Sequence, residues 1–325
     1  SAGLTYDVHF PVNLKPLSLS RFVLVKQEHV DKKLVYYASV SVRSQETPTL
    51  PAEFMVMNEP SDKSGQRAVG NVIASIADNG LLEHISVDGV ESSISIQFVS
   101  YRTQNGREMS GAYLFLPAGS ADVIELSQPP PYRIVQGPFH SILTTKMPLL
   151  THTLTITNSP GNQQVTIRNL VNVKTQKNFE LAMRITSQID SKDVFYTDMN
   201  GFQMMRHVRQ DKLTLQGNYY PVASQIFIED DKTRLSLLAK QPQGGSSLAS
   251  GQVEVMLDRR LMQDDHRGLE QGVTDNVLTC SVFRLLIEHR AHPVDKGFLK
   301  KNAFPSLLAE SALRELLFPP VLLQK

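Results

Sequence analysis

Hydrophobic residues recur at every second position in several stretches: Leu4, Tyr6, Val8 and Phe10; Ile94, Ile96 and Phe98; Leu154 and Ile156; Phe179, Leu181, Met183 and Ile185. The residues between them are mostly polar, such as Ser95 and Gln97 or Thr153, Thr155 and Thr157. Side chains alternate between the two faces of a strand, so this period predicts antiparallel strands with one face buried and one in water. Turn-forming groups punctuate the runs: Asn79-Gly80, Asp88-Gly89, Asn105-Gly106, Ser159-Pro160-Gly161-Asn162 and Asn200-Gly201. Short strands, tight turns and no regular alternation with helices predict a mainly β chain folded as an antiparallel sandwich. A parallel α/β barrel is excluded, and no fixed-period repeat marks a solenoid or propeller.

Two breaks divide the chain. Residues 44–68 are polar and rich in structure breakers, from Ser44-Gln45-Glu46-Thr47-Pro48 to Ser64-Gly65-Gln66. A second shift falls at Ala291-His292-Pro293. The expected units are 1–67, the end of a small β domain and its linker; 68–292, a large sandwich; and 293–325, a tail. In the tail, Ser306 to Leu317 reads as a short helix with Leu308, Ala312, Leu313 and Leu316 on one face, stopped by Pro319-Pro320. That stripe is short and lacks a basic polar face, which favours docking on protein over binding to membrane.

Charge is nearly balanced, with 33 Lys and Arg against 32 Asp and Glu, so the sequence carries no basic footprint for nucleic acid or an anionic membrane. A neutral partner such as sugar or protein fits better. The single cysteine, Cys280, rules out an internal disulfide or a thiolate metal cluster, and its strand-like surroundings predict a buried, inert thiol. There is no initiator Met, no apolar run of about 18 residues and no signal-peptide pattern, so a processed or excised piece is expected. No Asn-x-Ser/Thr acceptor is present, since Asn158-Ser159 is followed by Pro160. The nine histidines are scattered, and His289-x-x-His292, the nearest approach to a metal pair, reads as surface. Gln243-Gly244-Gly245-Ser246-Ser247 lacks the Gly-Lys-Ser/Thr ending and following helix of a phosphate loop. Tyr196, Tyr219 and Tyr220 offer either a sugar-stacking platform or, as is commoner for strand aromatics, core and interface packing.

Four segments are more specific than the alternation: Ser110-Gly111-Ala112-Tyr113-Leu114-Phe115-Leu116-Pro117; Phe195 through Gln203; Gln216-Gly217-Asn218-Tyr219-Tyr220-Pro221; and Ser250 through Gly272, which contains Asp258-Arg259-Arg260 and Asp264-Asp265-His266-Arg267-Gly268. In this order and spacing the chain resembles the C-terminal half of the class II α-mannosidases of the Golgi type, glycoside hydrolase family 38. The resemblance runs from Tyr6 to about Glu288 and implies a galactose-mutarotase-like super-sandwich. It also implies a Golgi or secreted protein, and mannose-containing N-glycans as substrate.

A retaining glycosidase needs two carboxyl groups about 5 Å apart, one the nucleophile and one the acid/base. The resemblance implies that both, and the ligands of the family's zinc, belong to an N-terminal catalytic domain outside this chain. The chain itself is then expected to carry no catalytic residue, metal or cofactor, and to need that domain, in cis or in trans, as partner. Tyr113 and Arg267 match positions at which the family's C-terminal region reaches back to the sugar, where a phenol and a guanidinium fork would orient hydroxyl groups. The residues taken alone allow a plainer account: Tyr113 as a half-buried strand aromatic, and Asp258, Arg259, Arg260, Asp264, Asp265 and Arg267 as a salt-bridged loop. We expect the cluster to fix the loop, Gly268 and Gly272 to let the backbone approach a neighbouring domain, and Arg267 to point outward. Adjacent residues face opposite ways on a strand, which speaks against Asp264 and Asp265 as a catalytic pair. A freestanding sandwich that binds carbohydrate or protein without catalysis is the alternative.

Overall fold

A computed structural model describes residues 7–23, 25, 38–43, 72–158, 162–290 and 303–323. The breaker-rich segment 44–68, the break at Ala291-His292-Pro293 and most of the Ser159-Pro160-Gly161-Asn162 turn lie outside them.

Within the described residues the chain forms β1 (Ser39–Arg43), β2 (Val72–Ile76), β3 (Leu82–Val87), β4 (Val90–Arg102), β5 (Asp122–Val123) and β6 (Tyr132–Gln136). There follow β7 (His140–Lys146), β8 (Leu150–Thr157), β9 (Gln164–Val171), β10 (Phe179–Ser187), β11 (Val194–Met199) and β12 (Gln203–Val208). The last strands are β13 (Tyr220–Val222), β14 (Gln225–Glu229), β15 (Thr233–Ala239), β16 (Gln243–Ser246), β17 (Gln252–Arg260) and β18 (Thr279–His289), before one helix, α1 (Leu307–Leu317).

Two antiparallel sheets form the expected sandwich. One has ten strands in the order β1-β6-β7-β8-β9-β18-β15-β14-β11-β12; the other has eight, in the order β13-β16-β17-β10-β4-β3-β2 with β5 beside β4. A single core joins them: Ile94, Ile96 and Phe98 of β4, Leu181 and Met183 of β10 and Val255 of β17 meet Leu154 of β8, Ile167 of β9, Leu235 of β15 and Phe283 of β18. Each such side chain removed from water contributes roughly 1.5 to 3 kcal/mol. β1, within the first expected unit, pairs with β6 at the edge of the ten-stranded sheet.

The turn signals act where they stand. Asp88 (φ 51°) and Gly89 (φ 82°) form the two-residue connection between β3 and β4, with Val87 opposite Val90. Positive φ at both positions matches the strand twist, which is why an Asp-Gly pair works there. Helix α1 begins at its N-cap Ser306, whose hydroxyl accepts the Ala309 N–H at 2.9 Å. Ala312, Leu313 and Leu316 pack on Leu238 of β15 and Leu286 of β18, so the apolar stripe docks on the outer face of the ten-stranded sheet.

Three expectations need correction. The alternation at the start does not make a strand at Asp7–Phe10; Val8 and Phe10 are exposed, since no described strand pairs with that segment. β10 is buried on both faces at Leu181, Ala182 and Met183 because it is an inner strand with loops over its outer side. Cys280 is exposed, not buried. It shares the outer face of β18 with Val282 and Leu286, which α1 covers, but the helix stops short of it.

Candidate functional site

β10 has β4 on one side and β17 on the other, and Phe179 of β10 is in register with both Arg102, the last residue of β4, and Arg260, the last of β17. The loops that follow β4 and β17 therefore leave the sheet at the same end and meet above β10. The first, residues 103–117, folds back on itself: Thr103 pairs with Pro117, Gln104 N–H donates to Leu116 O at 2.9 Å, and Ser110 N–H donates to the Thr103 hydroxyl at 2.7 Å. The second, residues 261–273, is closed by two hydrogen bonds between Leu261 and Val273.

Asp265 joins them. Its side chain is shut off from solvent, and one oxygen, Oδ2, accepts the backbone N–H of Tyr113 at 2.6 Å and of Leu114 at 2.8 Å. Removal from water pushes its pKa up, but these backbone donors more than offset that and leave the carboxyl below the usual aspartate range. Gly111 permits the approach: a Cβ there would lie 2.4 Å from Asp265 Cβ. Gln263 adds a bond from Nε2 to Ser110 O at 2.5 Å.

Beneath the junction lies Glu180 of β10, a residue that the sequence reading did not single out. It is buried, takes the Ser110 hydroxyl at 3.0 Å and Arg259 Nη2 at 2.5 Å, and Arg259 also reaches Leu114 O at 2.7 Å. Desolvation pushes the Glu180 pKa up, and Arg259 opposes the shift. The available signal was an acid between two apolar residues, Phe179 and Leu181, in a run that stays apolar as far as Met183.

The expected mutually salt-bridged loop is not what forms. Arg259 pairs with Glu180; Arg260 donates to Thr274 O and Asn276 Oδ1; Asp258 accepts from Arg259 N–H and Asn276; and Asp264 accepts the His266 N–H at 2.9 Å. Carboxylates here hold backbone donors, which fix a loop more directly than exposed ion pairs do. Burial pushes the Asp258 pKa up, against its bonds to Arg259 N–H and Asn276. Gly272 also serves the loop itself: a Cβ would sit 2.4 Å from Leu261 O, so the close approach is internal. Gly268 has φ 97° and open space around it.

On this frame Tyr113 and Arg267 face outward. Tyr113 is 65% exposed, and the Arg267 guanidinium makes one ion pair, to exposed Glu108 at 3.2 Å. Met262 and Leu269 on the second loop, and Val277 and Leu278 just beyond it, are also exposed. Of the other tyrosines, Tyr196 stacks on Phe227, Tyr220 stacks on His207, and Tyr219 hydrogen-bonds buried Glu254, so all three serve internal packing. Among the described residues no group of three His, Cys, Asp or Glu side chains could hold a metal ion.

The family model "Glycosyl hydrolases family 38 C-terminal domain" matches residues 70–267, which takes in the first loop and the second as far as Arg267. The chain belongs to glycosyl hydrolase family 38. "Alpha-mannosidase 2" of Drosophila melanogaster is 37% identical over 97% of this chain, and "Alpha-mannosidase 2" of Homo sapiens is 35% identical over 94% of it. These alignments cover 28% and 27% of the relatives, so the chain spans little more than a quarter of their length. Among solved structures, an alpha-mannosidase from Enterococcus faecalis V583 aligns over 68% of this chain and 29% of its own, at 12% identity and a TM-score of 0.49. In this family 38 chain, the loops carrying Tyr113 and Arg267 are thus joined through Asp265, with both side chains exposed.

Proposed function

We propose that this chain acts as the C-terminal portion of an α-mannosidase II-like glycosidase, packing on a catalytic domain and completing its sugar pocket with Tyr113 and Arg267. The observation that supports it is their pairing: two outward polar side chains on loops locked together by one shielded carboxylate, with exposed Met262 and Leu269 close by in sequence. Preorganised contacts of this kind are useful where a substrate has to be held in one geometry. The phenol both donates and accepts hydrogen bonds, and the guanidinium donates a planar fork, so together they would orient mannose hydroxyls.

In this reading the reactive carboxylates and the zinc belong to the catalytic domain, and the chain alone does not hydrolyse glycosides. The substrate is α-linked mannose of N-glycans, and the location is the secretory pathway, in the Golgi lumen or beyond it, by family resemblance. Hydrogen exchange tests the packing. Adding a separately expressed α-mannosidase II catalytic domain should slow the amides of 108–116 and 262–270, whereas unchanged exchange in both loops would refute it.

A further inference from the structure

A cleft of about 340 Å³ opens on the outer face of the eight-stranded sheet. Its floor is Tyr101 of β4, Arg184 of β10 and Gln252 of β17, and its wall is the segment between β12 and β13, including Arg209 and Gln210. Neither Tyr113 nor Arg267 lines it.

The charges around it are already matched. Arg184 Nε lies 2.7 Å from Glu254 Oε2, and the other oxygen of that fully buried carboxylate accepts the hydroxyls of Tyr101, at 2.5 Å, and Tyr219. Arg209 divides its guanidinium between Asp193 at 2.7 Å and Asp211 at 2.6 Å. Three carboxylates thus answer two guanidinium groups, so an anion such as phosphate gains no net attraction. Hydroxyl groups, which donate and accept at once, suit a surface where donors and acceptors alternate.

The amides add to this. Gln252 Nε2 has only a 3.5 Å contact to the Thr186 hydroxyl, and Gln210 Nε2 a 3.4 Å contact to Val208 O, both at the outer limit of a hydrogen bond. Leu213 and Leu215 add apolar surface to the lining, the kind of surface that the C–H face of a sugar ring packs against. The volume lies at the lower end of the roughly 300 to 1,000 Å³ found for ligand clefts. Tyr101 of the floor packs edge to face with Tyr219 and Phe115, and these two with each other, at 5.0 to 6.5 Å.

We propose that this cleft is a second carbohydrate subsite, taking one or two neutral hexose units of a glycan. It is complete within the chain and does not depend on packing against a catalytic domain.

The test is a ¹H–¹⁵N NMR titration of the full chain with mannobiose, with inorganic phosphate as the anionic comparison. Mannobiose should give saturable shifts at Gln210, Asn218 and Gln252, and Gln252→Ala or Gln210→Ala should weaken its affinity about fivefold, the worth of one hydrogen bond. If one variant fails to fold, the other carries the comparison. No saturation, shifts confined to 108–116 and 262–270, unchanged affinity in a folded variant, or phosphate competing for the same amides would each overturn the proposal.

Discussion

Replacing Asp265 with Ala removes the acceptor of two backbone N–H groups, those of Tyr113 and Leu114, at 2.6 and 2.8 Å. Hydrogen bonds to a charged group contribute about 1.5 to 3 kcal/mol each. At the lower figure for each, the pair is worth about 3 kcal/mol. The loss falls on the junction of the loops and not on the core, which Asp265 does not touch. The loop therefore opens locally, and about 3 kcal/mol corresponds to roughly 100-fold faster exchange of the Tyr113 and Leu114 amides. Ile167 in the centre of β9 should exchange as before. Asp265→Asn, which keeps an acceptor oxygen without the charge, should lie well below that factor. Acceleration of less than about fivefold in Asp265→Ala, or equal acceleration at Ile167, would refute the clamp.

Gly111→Ala places a methyl 2.4 Å from Asp265 Cβ and should lower stability by about 1 to 3 kcal/mol, read from the urea midpoint. His152 is fully buried and bonded to Asn169 at 2.7 Å; burial pushes its pKa down to about 4, against about 6.5 when unfolded. The unfolded chain then binds the extra proton, so stability is complete above about pH 6.5 and falls as pH drops towards 4, by up to about 3 kcal/mol. His152→Gln should flatten that part of the melting-temperature profile. Leu313→Ala removes a buried contact of α1 with the sheet, and at about 2 to 5 kcal/mol it should undock the helix, seen as proteolysis near 303–317 with the sandwich intact.

The sandwich was legible wherever one strand face meets water, as in β8, where Leu154 and Ile156 alternate with threonines. It was less legible in β14 and β15, which are buried on nearly every residue, so no polar face marks their period. Cys280 misled because burial on β18 depends on how far a helix from the tail extends, a non-local fact. Tyr113 and Asp265 lie 152 positions apart, and only the common register of β4 and β17 against β10 brings their loops together. Resemblance to a family supplied the two outward residues. Asp265 was named among the residues that fix its own loop, but neither its bridge to Tyr113 and Leu114 nor Glu180 beneath was legible.

The central claim is that Tyr113 and Arg267 serve a catalytic domain that lies outside the residues described. The most direct measurement is aryl α-mannoside hydrolysis by this chain alone, by the separately expressed catalytic domain alone, and by the two mixed. The account predicts turnover only in the mixture, lowered by Tyr113→Phe and by Arg267→Ala with melting temperatures unchanged, because both side chains are exposed. Hydrolysis by this chain alone, or a mixture indifferent to both substitutions, would contradict it.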